Sequence, residues 1–280
     1  MRAPWPNLFL VGAPRCGTTS LFTYLAVHPE IFGPSEKEPH YYDRDLLGPG
    51  GMSEDEYAAL FAGSEAERWR LDASALYLYS PGAPAAIARD APGAHIVVSL
   101  RDPVELVASW HKLLAASGAE TILDLVAAID AEPERREGRR VPPNVSPALL
   151  LYTEIGGFAK HVGRWREAFG EDRVHVVRLE TLGATCADLV RSLGLEPIQQ
   201  ELPHLNPARR TMGVAALLNR PSPLRSAARV LLPQGARRAV WHRVNRALTP
   251  TAERDPVDPG LRSRLEPRFA AELDLLARTS

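Results

Sequence analysis

A single α/β domain with a central parallel β-sheet flanked by helices is the fold that this sequence predicts, on three observations. Short apolar runs at Leu8–Val11, Trp69–Ala73, His95–Leu100 and Val174–Arg178 have the length and side-chain content of buried strands. Helical patterns separate them, at Thr18–Val27, Ser53–Phe61, Pro84–Asp90, Pro103–Ala116 and Leu149–Phe169, and such alternation implies βαβ units. The first strand runs straight into a glycine-bounded loop and a helix start, LFLVGAPRCGTTSL (Leu8 to Leu21), which is the arrangement of a phosphate-binding loop.

That loop departs from the nucleoside-triphosphate version in one respect. The pattern G-x-x-x-x-G-K-[ST] needs a Lys for the β- and γ-phosphates and a hydroxyl for Mg²⁺. Gly12 and Gly17 have the spacing, but Thr18 stands at the Lys position and Thr19 follows it. Backbone amides and a helix dipole can still cradle an anion. The loop's cation, Arg15, sits earlier. An anion-binding loop that does not serve ATP is the expectation.

The third strand ends at Arg101, which then lies at the carboxyl edge of the sheet, where open α/β sheets bind ligands. Asp102 and Pro103 suit the cap and first turn of the next helix, and Ser109 lies two turns along it. Arg101 and Ser109 together suit a phosphate. In the segment SEKEPHYYD (Ser35 to Asp43), Glu38 and His40 would share one side of an extended chain. Lys37 can face either a donor or an acceptor, and His111 reads as structural. Residues 132–147, EPERREGRRVPPNVSP, read as a mobile surface loop or lid. From Leu202 to Ala252 there are nine Arg residues and no Asp or Glu. This Arg-rich helical part is either a solvated face or an electrostatic wall beside an anion.

With 280 residues, 45% hydrophobic and 24% charged, the chain has material for a sizeable core. A net charge of −1 advertises no nucleic-acid partner. Cys16 and Cys186 are too few for a disulfide scaffold, and Cys16 reads as a small residue in a tight turn. The histidines lack metal-ligand spacing, so no metal is expected. No run approaches the roughly 18 apolar residues of a membrane span, and LFLVGA is too short for a signal sequence. A cytoplasmic protein is the expectation, and the Arg and Ala bias suggests a bacterial source. Oligomeric state is left open.

Three motifs carry a family resemblance. GAPRCGTTSL resembles the 5′-phosphosulfate loop of sulfotransferases that use 3′-phosphoadenosine-5′-phosphosulfate (PAPS). HIVVSLRDPVELVASWHKL (His95 to Leu113) resembles their 3′-phosphate motif, with a Ser eight residues after the Arg. SEKEPHYYD resembles the acceptor-side segment of bacterial and heparan-sulfate-type members. The resemblance implies a P-loop-like fold, PAPS as co-substrate, no metal, and a small-molecule or glycan acceptor. It assigns Pro14, Arg15, Cys16, Gly17, Thr18, Thr19 and Ser20 to the 5′-phosphate and Arg101 and Ser109 to the 3′-phosphate. Arg209 and Arg210 fall in a basic loop that closes over PAPS in the family. Arg15 occupies the place of a catalytic Lys; being permanently charged, it suits electrostatic stabilisation rather than proton donation. Glu38 aligns with the carboxylate base of heparan-sulfate-type members and His40 with a nearby His. Burial by the acceptor would raise the Glu38 pKa. Alternatives are a nucleotide kinase or NTPase, which the missing Lys opposes, and a non-catalytic nucleotide-binding protein. A Rossmann dehydrogenase is opposed by the absent middle Gly of G-x-G-x-x-G.

Overall fold

The computed structural model describes residues 5–48, 51–199 and 257–279. Its centre is a five-stranded, fully parallel sheet in the order β2-β3-β1-β4-β5. The strands are β1 (Leu8–Gly12), β2 (Ile31–Phe32), β3 (Trp69–Ala73), β4 (His95–Leu100) and β5 (Val174–Arg178). Three of these have the bounds expected from sequence and β1 is one residue longer. The two-residue β2 is too short to announce itself by periodicity.

Side-chain alternation sends each strand's residues into two separate cores. Phe9, Val11, Ile96, Val98 and Leu100 face one side. Leu8, Leu10, Leu71, Ala73 and Val97 face the other. The second core is closed by α1 (Thr18–Ala26), through Leu21 and Leu25, and by α10 (Leu182–Ser192), through Leu189 and Val190. The first is closed by α4 (Ala83–Asp90), α5 (Pro103–Ser117), α8 (Tyr152–Gly156) and α9 (Ala159–Phe169). Covered on both faces, the strands can be apolar throughout.

The remaining described helices are short: α2 (Arg44–Leu47), α3 (Glu54–Ala59), α6 (Leu125–Asp130) and α7 (Glu132–Arg136). Two more near the C-terminus are α11 (Pro259–Leu265) and α12 (Ala270–Ala277). The expected long helix over 149–169 is instead a 3₁₀ turn followed by α8 and α9, broken at Gly156 and Gly157. A Cβ on Gly156 would lie 2.5 Å from the Phe269 ring and 2.8 Å from Val107, so the break lets the C-terminal segment dock on α5. Glu272 of α12 then accepts a hydrogen bond from the Ala159 amide at the start of α9.

The stretch 132–147, expected as a surface loop, begins as helix α7 with Glu132 and Arg135 buried. Arg135 donates to Glu120 at 2.9 Å and to the Leu150 carbonyl at 3.0 Å, while Glu120 also accepts from Tyr152 and from the amides of Thr121 and Ile122. Both side chains of the pair are fully buried. Removing one partner leaves an uncompensated charge in the core. Glu120→Ala is therefore expected to lower unfolding free energy by about 3–5 kcal/mol, read by urea titration. A loss below about 1 kcal/mol would mean that water reaches Arg135.

Candidate active site

Strand order reverses beside β1: the chain builds β2 and β3 on one side, then crosses to β4 and β5 on the other. The loops after β1 and β4 therefore meet at the carboxyl edge, at the topological switch point. Ala13 N–H donates to the Ser99 carbonyl at 2.7 Å, and Ser99 Oγ donates to the Cys16 carbonyl at 2.6 Å. Two glycines permit the loop's path. A Cβ on Gly12 would stand 2.6 Å from Leu78 Cβ. Gly17 has φ +77°, and a Cβ there would stand 2.6 Å from Leu179 Cδ1. Gly17 is the N-cap of α1, and no side chain caps that helix. First-turn amides of a helix point outward beyond its N-terminus, so Thr18, Thr19 and Ser20 present the surface expected of an anion cradle. Pro14, Cys16, Thr18 and Ser20 are buried, and Cys16 has no exposed surface, in keeping with a turn-filling role.

Arg15, at φ +66°, reaches across to α5, where its Nε donates to Ser109 Oγ at 2.9 Å. The loop's cation and the helix hydroxyl, assigned by resemblance to opposite ends of a nucleotide, are thus in direct contact. Arg101 follows β4 and is 6% exposed. Its guanidinium donates to Glu105 Oε2 at 2.9 Å, and its Nε is buried without a hydrogen-bond partner. Asp102 caps α5 by accepting from the Glu105 amide at 2.9 Å, with Pro103 in the first turn, as expected.

The acceptor-side segment is not extended. Glu38 and His40 both have left-handed backbones, φ +61° and +54°, yet their side chains meet: His40 Nε2 lies 3.5 Å from Glu38 Oε2. On its other side His40 Nδ1 donates to the fully buried Asp43 at 2.7 Å. Lys37 Nζ donates to Glu38 Oε1 at 2.5 Å. Beneath this chain sits Asp72, at the end of β3 and without exposed surface, accepting from Tyr57, Tyr77 and Ser74. The Glu38 amide donates to the Ala73 carbonyl, and the Tyr41 amide donates to Tyr77 Oη, so the segment is pinned to the strand end.

Electrostatics sort the pair. Burial would lower the His40 pKa, but hydrogen bonds to Asp43 and Glu38 more than reverse it, to about 9. Burial would raise the Glu38 carboxyl, but the contacts with His40 and Lys37 overcome it and hold it at about 2, below its ordinary value, where the expectation from sequence is a rise on acceptor burial. At neutral pH the segment thus presents a carboxylate between two cations, and His40 has no lone pair to accept a proton. Burial lifts Asp72 to about 6 against the pull of its three hydroxyl donors.

Comparison with known proteins bears on this geometry. No family model matches the chain. Its structure superposes on the crystal structure of a sulfotransferase from Alicyclobacillus acidocaldarius with a TM-score of 0.70, covering 99% of this chain and 97% of that one at 24% identity. The chain has the sulfotransferase fold. Its curated relatives are sulfotransferases too. Human carbohydrate sulfotransferase 15 is 24% identical over 233 residues, 62% of this chain and 40% of that protein. Human bifunctional heparan sulfate N-deacetylase/N-sulfotransferase 3 is 28% identical over 214 residues, 72% of this chain and 23% of that protein. The chain thus spans well under half the length of these curated relatives.

On this sulfotransferase fold, Arg15, Thr18, Thr19, Arg101, Glu38 and His40 lie on loops or helix starts that follow the carboxyl ends of β1, β2 and β4, and Ser109 lies two turns into α5. Arg209, Arg210 and the Arg-rich stretch lie outside the described residues. Among the described residues no cluster of His, Cys, Asp or Glu could hold a metal ion, and no helix is long and apolar enough to cross a membrane. Sequence reasoning missed Asp43, although the spacing His-x-x-Asp signals a possible tether. It also missed Glu105 and Asp72, although Arg101 stands four residues from Glu105 and Ser74 two from Asp72.

His40 carries a pH signature. With a folded pKa of about 9 against an ordinary 6.5, its partners add stability that is complete below about pH 6.5 and is lost as pH rises through 9. Glu38 works in the opposite direction: its contribution is present above its ordinary 4.5 and is lost as pH falls towards 2. Between pH 6.5 and 9.5 the wild-type protein is expected to lose on the order of 1–3 kcal/mol that His40→Asn does not lose, measured by denaturant titration at each pH. Identical curves for the two proteins would show that His40 is not protonated in the fold.

Proposed function

We propose that this chain is an enzyme that transfers a sulfuryl group from PAPS to a hydroxyl or amine of a glycan or small-molecule acceptor. The observation that carries the reading is the joint geometry at the switch point. A lysine-free anion loop, a buried Arg101 with an unpaired Nε, and an ionised Glu38 all border the same edge. The residues fit such a donor. The N-terminus of α1 has no side-chain cap, and Arg101, with its free Nε, offers a second anion site at the end of β4.

PAPS, when bound, supplies the sulfuryl group, and the reaction joins sulfur to the acceptor while the bond to the leaving phosphate breaks. Every other part belongs to this chain. The amides of the first turn of α1, with Thr18 and Thr19, hold the 5′ side, and Arg101 and Ser109 hold the 3′-phosphate. Arg15 stabilises charge on the leaving group. Glu38 takes the acceptor proton, because it is the ionised member of the pair and His40 already carries a proton. Lys37 and His40 aim the carboxylate, and Asp43 holds His40. A carboxylate kept near 2 is a weak base, so acceptor binding must loosen at least one of its two cationic contacts for proton transfer to proceed.

Donor identity is tested by calorimetry with 3′-phosphoadenosine-5′-phosphate, ADP and ATP. The 3′-phosphorylated ligand is expected to bind best, and Arg101→Ala to weaken it selectively by about 1.5–3 kcal/mol. Equal affinity for ADP and the 3′-phosphorylated ligand would sink the donor assignment.

Turnover is tested by PAPS consumption across acceptor classes, with mass spectrometry for the added sulfuryl group. Glu38→Gln is expected to cut the rate by about 10²–10⁴ without weakening donor binding, and Arg15→Ala by about 10²–10³. A nearly active Glu38→Gln protein beside an inactive His40→Asn one would move the base to His40.

A further inference from the structure

Of the charged cluster around the turn after β4, the reaction described above uses only Arg101. Arg101 donates one edge to Glu105 Oε2 at 2.9 Å. The other oxygen of Glu105 lies 3.5 Å from Nη2 of Arg262, on α11. Arg262 Nη1 donates to Asp102 Oδ2 at 2.9 Å, and Asp102 uses Oδ1 to cap α5. Two guanidinium groups and two carboxylates thus alternate around the turn. The two arginines differ in setting: the Arg101 side chain is 7% exposed and that of Arg262 is 35% exposed.

Glu105 is therefore shared between an inner and an outer cation. It already holds one edge of the guanidinium to which the proposed function assigns a dianionic phosphate. Both anions cannot approach Arg101 closely without strong mutual repulsion at this low exposure. Glu105 is 27% exposed and belongs to the first turn of α5, so its carboxylate can swing outward, and the partner in that direction is Arg262. Among the described residues, α11 supplies the counter-ion for an anion displaced from Arg101.

We propose that Glu105 competes with the donor's 3′-phosphate for Arg101, and that Arg262 is a positioning residue that accepts the displaced carboxylate. The competition makes the 3′-phosphate pocket weaker than its cation alone would make it, which favours release of the 3′-phosphorylated product. It also ties α11 to the nucleotide without any contact between them. This inference rests on the donor reading, from which it is separable by experiment.

The test is calorimetry with 3′-phosphoadenosine-5′-phosphate and, as a probe lacking the 3′-phosphate, ADP. Glu105→Gln is expected to tighten the 3′-phosphorylated ligand about five- to tenfold and leave ADP unchanged. Arg262→Ala is expected to weaken the same ligand several-fold, because Glu105 then has Arg101 alone. In the Glu105→Gln background Arg262→Ala is expected to be silent. Arg262→Lys, which keeps a charge near Asp102 and Glu105, restores most of the affinity and guards against a folding defect. Weaker 3′-phosphorylated ligand binding in Glu105→Gln, or an undiminished Arg262→Ala effect in that background, overturns the inference and leaves the donor reading standing. A wild-type protein with no preference for the 3′-phosphorylated ligand overturns both.

Discussion

Ser99 makes the hydrogen bonds on which the site depends. It is the penultimate residue of β4, without exposed surface, and both its carbonyl and its hydroxyl are spent on the loop after β1. Its carbonyl takes the Ala13 amide and its hydroxyl takes the Cys16 carbonyl, so the loop is fastened at both ends to the neighbouring strand. Because β4 continues directly into Arg101, the same strand sets the separation between the two candidate phosphate sites. The Arg15–Ser109 hydrogen bond then closes a circuit from loop to strand to helix and back. A serine is well suited to this position. An alanine would leave the Cys16 carbonyl short of a buried donor.

The acceptor side is organised by a different device. Glu38, His40 and Asp43 sit in a segment with no regular structure except the short α2, and two of its residues adopt left-handed backbones. Such a segment needs outside anchors, and Asp72 supplies them through Tyr57, Tyr77 and Ser74. Around these hydroxyls, Trp5, Tyr41, Tyr42 and Tyr57 form an aromatic cluster, with Tyr41 and Tyr57 stacked at 4.1 Å. Burying the carboxylate of Asp72 is unfavourable, as its raised pKa shows, but every donor it gathers belongs to a residue that shapes the loop. Above this support, Lys37 and Glu38 form an ion pair at 2.5 Å.

The legible parts of this chain were those governed by local pattern. Strands β3, β4 and β5 are short apolar runs, and α5 has its cap and proline in sequence, so their bounds could be read directly. The anion loop was legible because glycine spacing encodes backbone conformation: Gly17 at φ +77° is a consequence of chemistry visible at that position. Contacts between distant segments were not legible. Nothing near Gly156 announces that Phe269 will pack on it and split the expected helix. Nothing near Arg135 announces Glu120 as its partner, so a charged, proline-rich stretch read as surface although its first helix is anchored in the core. The Glu38–His40 pairing was anticipated for the wrong reason. Alternation along an extended chain was to bring them together, whereas two left-handed residues do so here.

Charge placement separates this site from a nucleoside-triphosphate site built on the same loop geometry. In the latter a Lys after the second glycine reaches along the phosphate chain. Here that position holds Thr18, 5% exposed and too short to reach outward. The cation has moved upstream to Arg15, which points across the switch point to α5, and a second cation waits at the end of β4. Positive charge is thus spread laterally between two strands instead of lengthwise over one phosphate chain. The two cations follow the carboxyl ends of adjacent strands, β1 and β4. The distribution of guanidinium groups, more than the presence of the loop, is what distinguishes the chemistry of this edge.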